Sequence, residues 1–208
     1  EYYNTQFDKL GLKVAVGTEV TEDLIREEKP DVLIVATGAV PLTPDITGID
    51  GPNVVESWDV LSGAAAVSAS SVIVAGGGLV GCEAALTLAE QGKAVTIVEM
   101  SSELAADMEP ISRFDLLTDR LPATDIRTIT KCVIAEIREN GVTLLDRRGR
   151  KSFVEARAVV TALGARSEND LAQKARALVP EIHVIGDGKS PRQIINATFE
   201  GAAAARLV

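Results

Sequence analysis

The sequence predicts an α/β fold built from one complete Rossmann-type dinucleotide domain and part of a second. Three observations carry that expectation. Val72–Met100, "VIVAGGGLVGCEAALTLAEQGKAVTIVEM", reads as strand, glycine turn, helix and a second strand ending in an acid. The apolar runs "DVLIVATG" (31–38) and "EIHVIGD" (181–187), each bounded by Gly, read as strands buried on both faces. An internal echo links "VLIVATGA" (32–39) with "AVVTALGA" (158–165), apolar strands whose closing glycines are Gly38 and Gly164.

The elements follow in order. "YYNTQFDKL" (2–10) predicts a short helix ended by Gly11, and "KVAVGTEV" (13–20) a strand. "EDLIREEKP" (22–30) predicts a short amphipathic helix stopped by Pro30. Pro41, Pro44, Gly48, Gly51 and Pro52 punctuate 39–58, which reads as a linker. After the glycine unit, "EPISRFDLLTDRL" is helical. Strands then alternate to residue 164, with hairpin turns at Asn140-Gly141 and Arg148-Gly149. "NDLAQKARAL" (169–178) is a helix, and "PRQIINATFEGAAAARLV" closes the chain as another.

Gly164 lies 88 residues after Gly76. On the same plan, a fingerprint belonging to the first echo copy would lie about 50 residues before Glu1. The expected division is therefore a whole domain over 54–160 and a partial domain from 1–53 and 161–208.

Composition narrows the function classes. The 208 residues are 46% apolar but only 3% aromatic, with a net charge of −9. That balance disfavours nucleic acid and anionic membranes as partners. No apolar run approaches the ~18 residues of a membrane span. No secretory-type signal opens the sequence, and Cys82 and Cys132 form neither a CxxC pair nor a zinc spacing. A cytoplasmic setting with two reduced thiols is expected. His183, the one histidine, sits in an apolar strand and reads as structural; no metal site is expected.

Gly76-Gly77-Gly78-Leu79-Val80-Gly81 satisfies GxGxxG. Gly76 permits the tight turn out of the strand, Gly78 lets a pyrophosphate approach, and Gly81 lets the helix pack closely on the strands. The helix start offers free N–H groups and the positive end of its dipole to a diphosphate. Glu99 ends the second strand, 23 residues after Gly76, where a carboxylate accepts hydrogen bonds from an adenosine ribose diol. A 2′-phosphate there meets like charge, on the order of 4 kcal/mol per unit pair at ~4 Å and an effective dielectric near 20. Met100, which continues the nucleotide-binding segment, and Ser101-Ser102-Glu103 supply no cation to receive it. The expectation is NAD(H) over NADP(H). Glu83 lies two residues past Gly81, in the first helical turn, where an acid suits the helix dipole or a ligand.

These segments, with "DVLIVATGAVP" before and "VIGDGKSPRQIINATFEGAAAAR" after, resemble the flavoprotein oxidoreductases with two dinucleotide domains. Within them the chain is most similar to the C-terminal region of the NADH:flavin oxidoreductases related to 2,4-dienoyl-CoA reductase, enoate reductase and trimethylamine dehydrogenase. The resemblance implies a Rossmann-type, three-layer NAD-binding domain inserted in a truncated FAD/NAD(P)-binding domain. It implies that Ala36, Thr37 and Gly38 belong to the FAD-type domain. It further implies that Gly186-Asp187 holds the flavin's ribityl and pyrophosphate region. Arg192, Gln193 and Ile194 match a segment whose helix start faces the isoalloxazine, and Glu83 matches an acid near the nicotinamide carboxamide. Gly164 counts with the cofactor-binding glycines.

The implied cofactors are FAD and NADH. FMN and an iron–sulfur cluster belong to a longer parent enzyme, whose remainder is an expected partner. The first GxGxxG and its acid are absent, so the FAD adenosine lacks a cradle. There is no CxxxxC redox pair, which argues against a disulfide reductase. Relatives tend to have Pro where Ser167 stands. The leading expectation is a fragment that passes hydride from NADH to flavin for onward reduction of an enoate or dienoyl-CoA. No catalytic side chain is assigned. The alternative is a non-catalytic NAD(H)-binding module. The open interior of a half-built domain would be apolar and able to drive formation of a homo-oligomer.

Overall fold

The computed structural model describes residues 2–106, 108 and 110–208, without the side chain of Ser112. In chain order the elements are α1 (Tyr2–Leu10), α2 (Glu22–Glu28), β1 (Val32–Val35), β2 (Ala39–Pro41), β3 (Val54–Glu56), α3 (Ser57–Ser62), β4 (Ser71–Ala75), α4 (Leu79–Glu90) and β5 (Ala94–Val98). There follow α5 (Pro110–Asp115), which runs into a π-helical turn at Leu116–Arg120, then β6 (Arg127–Ile129), β7 (Cys132–Arg138), β8 (Gly141–Asp146), β9 (Lys151–Glu155) and β10 (Ala158–Thr161). Last come β11 (Ala165–Ser167), α6 (Asp170–Ala175), β12 (Glu181–Val184), a 3-10 turn at Gly186–Gly188 and α7 (Ile194–Ala204). They form two compact units, Glu1–Ala39 with Ser167–Val208, and Val40–Arg166. The segments β2 and β11, at the boundaries, pair with each other.

In the Val40–Arg166 unit, five strands form a parallel sheet in the order β3-β10-β4-β5-β6. Strand alternation sends successive side chains to opposite faces, and each face has its own core. Val72, Val74, Ile97 and Val160 pack with Cys82, Ala85 and Leu88 of α4. Ile73, Ala75, Val98 and Val159 pack instead against Ile137, Val142 and Leu144 of the antiparallel meander β7-β8-β9. The helix layer, the parallel sheet and the meander make three layers, as predicted for this domain. The second hairpin turns through Arg148-Gly149 as read from sequence, whereas the first turns at Glu139-Asn140, one residue before the expected pair, with Gly141 already in β8 opposite Arg138. Asp146 fixes the second one, accepting the N–H groups of Arg148 and Arg150 at 2.8 and 2.9 Å.

The division between units differs from the 53/54 and 160/161 boundaries expected from sequence. The punctuated segment after residue 39 is not a linker. Ile46, Ile49 and Val54 pack on the meander core, and Ile137 donates its N–H to the Thr47 carbonyl at 2.8 Å. Gly48, at φ +85°, lies so close that a Cβ would stand 2.0 Å from the Ile137 carbonyl oxygen. The prolines stop regular structure locally, but the isoleucines between them still find a core.

In the other unit β1 and β12 pair in parallel, Val32 with Glu181 through Val35 with Val184. Ile25 of α2, Ala175 of α6 and Val179 cover Leu33 and Ile182 on one face. Here the sequence reading fails in two ways. "DVLIVATG" and "EIHVIGD" are not buried on both faces: Ile34 is 40% exposed and no residue of β12 is fully buried. The 13–20 segment is not a strand, and Val16 is 85% exposed. A ladder needs a neighbour, and among the described residues this sheet has only two strands.

Glu200 of α7 fastens the turn after β12. Its carboxylate accepts the Gly186 N–H at 2.8 Å, the Arg192 guanidinium at 2.5 Å, and lies 3.5 Å from Lys189 Nζ. The Arg192 contact and then the Gly186 N–H hold this carboxyl below the usual carboxylate range. A depressed folded-state value means the stabilisation is present above the unfolded carboxyl's pKa of about 4.3 and is lost as pH falls through the folded value.

Two outcomes follow. Gly48→Ala lowers the denaturant midpoint, the overpacking alone costing roughly 1–3 kcal/mol and the left-handed backbone about 1–2 kcal/mol more. Amide exchange at Gly186 accelerates as pH is lowered below about 4.3, beyond its intrinsic pH dependence, and Glu200→Gln removes that excess.

Candidate functional site

The site is built on the C-terminal edge of the parallel sheet, where β4 turns into α4. Gly76 leaves the strand at φ +106°, and a Cβ on it would stand 2.1 Å from the Ala162 carbonyl oxygen. A Cβ on Gly81 would stand 2.0 Å from the Gly76 carbonyl oxygen. The first and last glycines of the fingerprint therefore allow backbone to touch backbone, in the roles read from sequence. Gly78 sits at the N-cap of α4 with no side-chain cap. The first-turn N–H groups, from Leu79 to Gly81, have no partner within the helix by construction. Leu79 is exposed and Val80 half-buried at that mouth.

Glu99 arrives from the end of β5. Its Oε2 accepts the Gly77 N–H at 2.7 Å and its Oε1 accepts the Ser101 N–H at 2.7 Å. A carboxylate has about four acceptor positions, so two remain for a diol. Leu104 and the Glu99 side chain fill the space where a Cβ on Gly77 would stand, 2.4 Å from Leu104 Cδ2. The Gly77 carbonyl in turn accepts the Ala105 N–H at 2.7 Å. Met100 is exposed beside this loop. Sequence reasoning missed Ser101, Leu104 and Ala105, because a loop that folds back over its own glycine turn leaves no periodic signal. It also missed Ala162, which the echo with Ala36 marks.

Glu83 is exposed on α4, but the helix starts at Leu79. It is the fifth helical residue, past the first turn, so its carboxylate does not cap the helix dipole as the sequence suggested. Gly164 lies in the same unit, its carbonyl accepting the Leu42 N–H at 2.9 Å.

In the other unit Thr37 donates its hydroxyl to the Glu168 carbonyl, and Gly38 accepts the Glu168 N–H at 3.0 Å. Ala36 is exposed. Gly188 packs close to Thr37: a Cβ there would be 3.3 Å from Thr37 Oγ1. The Ala36–Gly38 and Gly186–Gly188 turns therefore meet at the ends of the paired strands β1 and β12. Asp187 accepts the Arg192 N–H on Oδ1 at 3.0 Å. Gln193 precedes α7, its N–H held by Asn196 Oδ1 at 3.3 Å, and Ile194 opens the helix, 84% exposed. Sequence reasoning missed Glu200, which lies 14 residues beyond Gly186 with nothing local to mark it.

Among the described residues no group of three or more His, Cys, Asp or Glu could hold a metal ion. No helix among them is long and apolar enough to cross a membrane.

Comparison with known proteins agrees with this geometry. Residues 3–201 match the family model for pyridine nucleotide-disulphide oxidoreductase. The chain is 38% identical over 205 residues to an NADH oxidase of Thermoanaerobacter brockii, covering 97% of this chain and 31% of that protein. It is 32% identical to a cinnamate reductase of Clostridium sporogenes, covering 100% of this chain and 31% of that protein. Among solved structures, a 2-naphthoyl-CoA reductase complex superposes with a TM-score of 0.83 at 33% identity, over 96% of this chain and 30% of that one. The chain thus spans about a third of the length of these relatives. It belongs to the pyridine nucleotide-disulphide oxidoreductase family, whose members are FAD- and NAD(H)-dependent flavoproteins.

Proposed function

We propose that this chain is part of a longer, cytoplasmic NADH-dependent flavoprotein oxidoreductase that reduces a conjugated acyl acceptor such as an enoate or an unsaturated acyl-CoA. The observation that carries the reading is the bare glycine turn of Gly76–Gly81, with the Glu99 carboxylate beside it and an uncapped helix N-terminus behind it. The acceptor class is argued from relatives named as a cinnamate reductase and a 2-naphthoyl-CoA reductase, which share 32% and 33% identity with the chain.

NADH is assigned to the Val40–Arg166 unit. Its pyrophosphate would lie on Gly78 and the first-turn N–H groups, its adenosine ribose on Glu99 and Met100, and its carboxamide near Glu83. Flavin is assigned to the other unit, on Ala36, Thr37, Gly38, Gly186 and Asp187, with Gln193 and Ile194 at the helix start. Asp187 has one carboxylate oxygen beyond its Arg192 bond to offer a sugar hydroxyl. When bound, the cofactors supply hydride transfer from nicotinamide to flavin N5; the protein supplies binding, orientation and electrostatics. FMN, an iron–sulfur cluster and the acceptor site are assigned to the remainder of the parent.

The visible spectrum of the purified chain, before and after FAD addition and desalting, tests the flavin assignment. A retained flavin band bleached by NADH is expected. A chain that binds NADH but keeps no flavin would favour the NAD(H)-binding module. Titration is expected to give NADPH an affinity at least about tenfold weaker than NADH, from like-charge repulsion at Glu99. Equal affinities would remove the specificity assignment.

A further inference from the structure

Glu99 holds two amides before any ligand arrives. Gly77 and Ser101 each donate an N–H to it at 2.7 Å, one to each carboxylate oxygen. The following peptide, which carries the Gly77 carbonyl, is held as well, by the Ala105 N–H at 2.7 Å. Ala105 is fully buried and reaches that position with φ +51°, a left-handed conformation that is unusual outside glycine. Arg113 holds the same segment from outside, bonding the Leu104 carbonyl through Nε at 3.1 Å and pairing with Glu103. Ser101 in turn accepts the Lys131 N–H at 2.8 Å, and the Glu99 carbonyl accepts the Cys132 N–H at 3.2 Å. The segment from Glu99 to Ala105 is therefore a clasp, anchored to the start of β7 and closed over the two peptides that join Gly76, Gly77 and Gly78.

From this we infer that Glu99 is a positioning residue for the glycine turn, separately from any contact with a ribose. The inference rests on the coenzyme reading above and deepens it. The N–H and the carbonyl of Gly77 are both directed into the clasp, which fixes the planes of the Gly76–Gly77 and Gly77–Gly78 peptides. That orientation sets where Gly78 and the first-turn amides of α4 point. A glycine-rich loop has more conformations to lose than any other. Pinning it beforehand removes that cost from the binding step, which is the general gain from preorganisation. Removing Glu99 then weakens pyrophosphate binding as well as ribose binding.

Glutamine separates the two roles. A ribose hydroxyl both donates and accepts, so it can pair with either end of a Gln side chain. The amides of Gly77 and Ser101 only donate, and a Gln side chain offers them one oxygen where Glu offers two. Glu99→Gln therefore keeps ribose pairing and breaks half of the clasp.

The test has a ligand-free arm and a titration arm, both on the full chain with unfolding midpoints checked for each variant. Hydrogen exchange at Gly77 and Ser101 is expected to be slow in the parent sequence and at least about tenfold faster at one of them in Glu99→Gln, the scale of one hydrogen bond to a charged group. Unchanged exchange at both amides would overturn the clasp. In the titration, NADH and its analogue lacking both hydroxyls of the adenosine ribose are compared on the parent sequence, Glu99→Gln and Glu99→Ala. The clasp predicts that Glu99→Ala binds the dideoxy analogue at least about tenfold more weakly than the parent does, although no ribose contact remains to be lost. Equal binding of the analogue by both would confine Glu99 to ribose recognition and overturn the inference. If the parent binds neither ligand, the coenzyme reading fails, and the positioning role for coenzyme falls with it; the exchange arm then reports only whether the amides are pinned.

Discussion

Backbone contact at the glycine turn is the constraint on which the rest of the Val40–Arg166 unit depends. Where α4 crosses the end of β4, a Cβ on residue 81 would overlap the Gly76 carbonyl, and one on residue 76 would overlap the Ala162 carbonyl. The glycine turn, the start of α4 and the residue after β10, the last of them distant in sequence, are thereby drawn together without side chains between them. That closeness lets α4 lie flat on the sheet, so that Cys82, Ala85 and Leu88 reach Val72, Val74 and Ile97. The same closeness leaves the N-terminus of α4 open at the sheet edge. Packing and the binding surface thus come from one feature.

Much of this was legible in the sequence because it is local. The strand–turn–helix–strand pattern of Val72–Met100 needs no distant partner to be recognised, and the acid at Glu99 follows at a fixed spacing. The two hairpins announce themselves through turn chemistry, the first to within one residue and the second at Arg148-Gly149. The misreadings share a different cause. Whether "DVLIVATG" is buried on two faces depends on how many strands flank it, which its own residues do not encode. The 39–58 segment has the punctuation of a linker, yet Ile46 and Ile49 find the meander core. Glu83 was placed in the first turn by counting from Gly81, but the helix begins two residues earlier, at Leu79.

The two units use one device at their nucleotide-type turns. In each, a glycine N–H after a parallel strand is taken by a carboxylate from another element: Gly77 by Glu99, and Gly186 by Glu200. The partners differ in kind. Among the described residues Glu99 is served by backbone amides alone, whereas Glu200 also carries Arg192 and Lys189. The second turn is therefore tied by ion pairs as well as by a backbone amide, and those ion pairs are weakened by salt screening.

The position of β10 has a consequence for how the chain folds. This strand is the last of the five-stranded parallel sheet to appear in sequence, yet it lies between β3 and β4, with Val159 paired to Val54 on one side and to Ile73 on the other. The βαβ unit of β4, α4 and β5 can assemble from neighbouring residues. The sheet as a whole cannot close until the chain has run out through the meander and returned. Loop-closure entropy across that excursion must be met before its contacts form, so non-local pairing of this kind slows folding. Until β10 docks, β3 has no partner and one edge of β4 is bare. The meander that forms the third layer of the Val40–Arg166 unit is also the tether that brings the closing strand home.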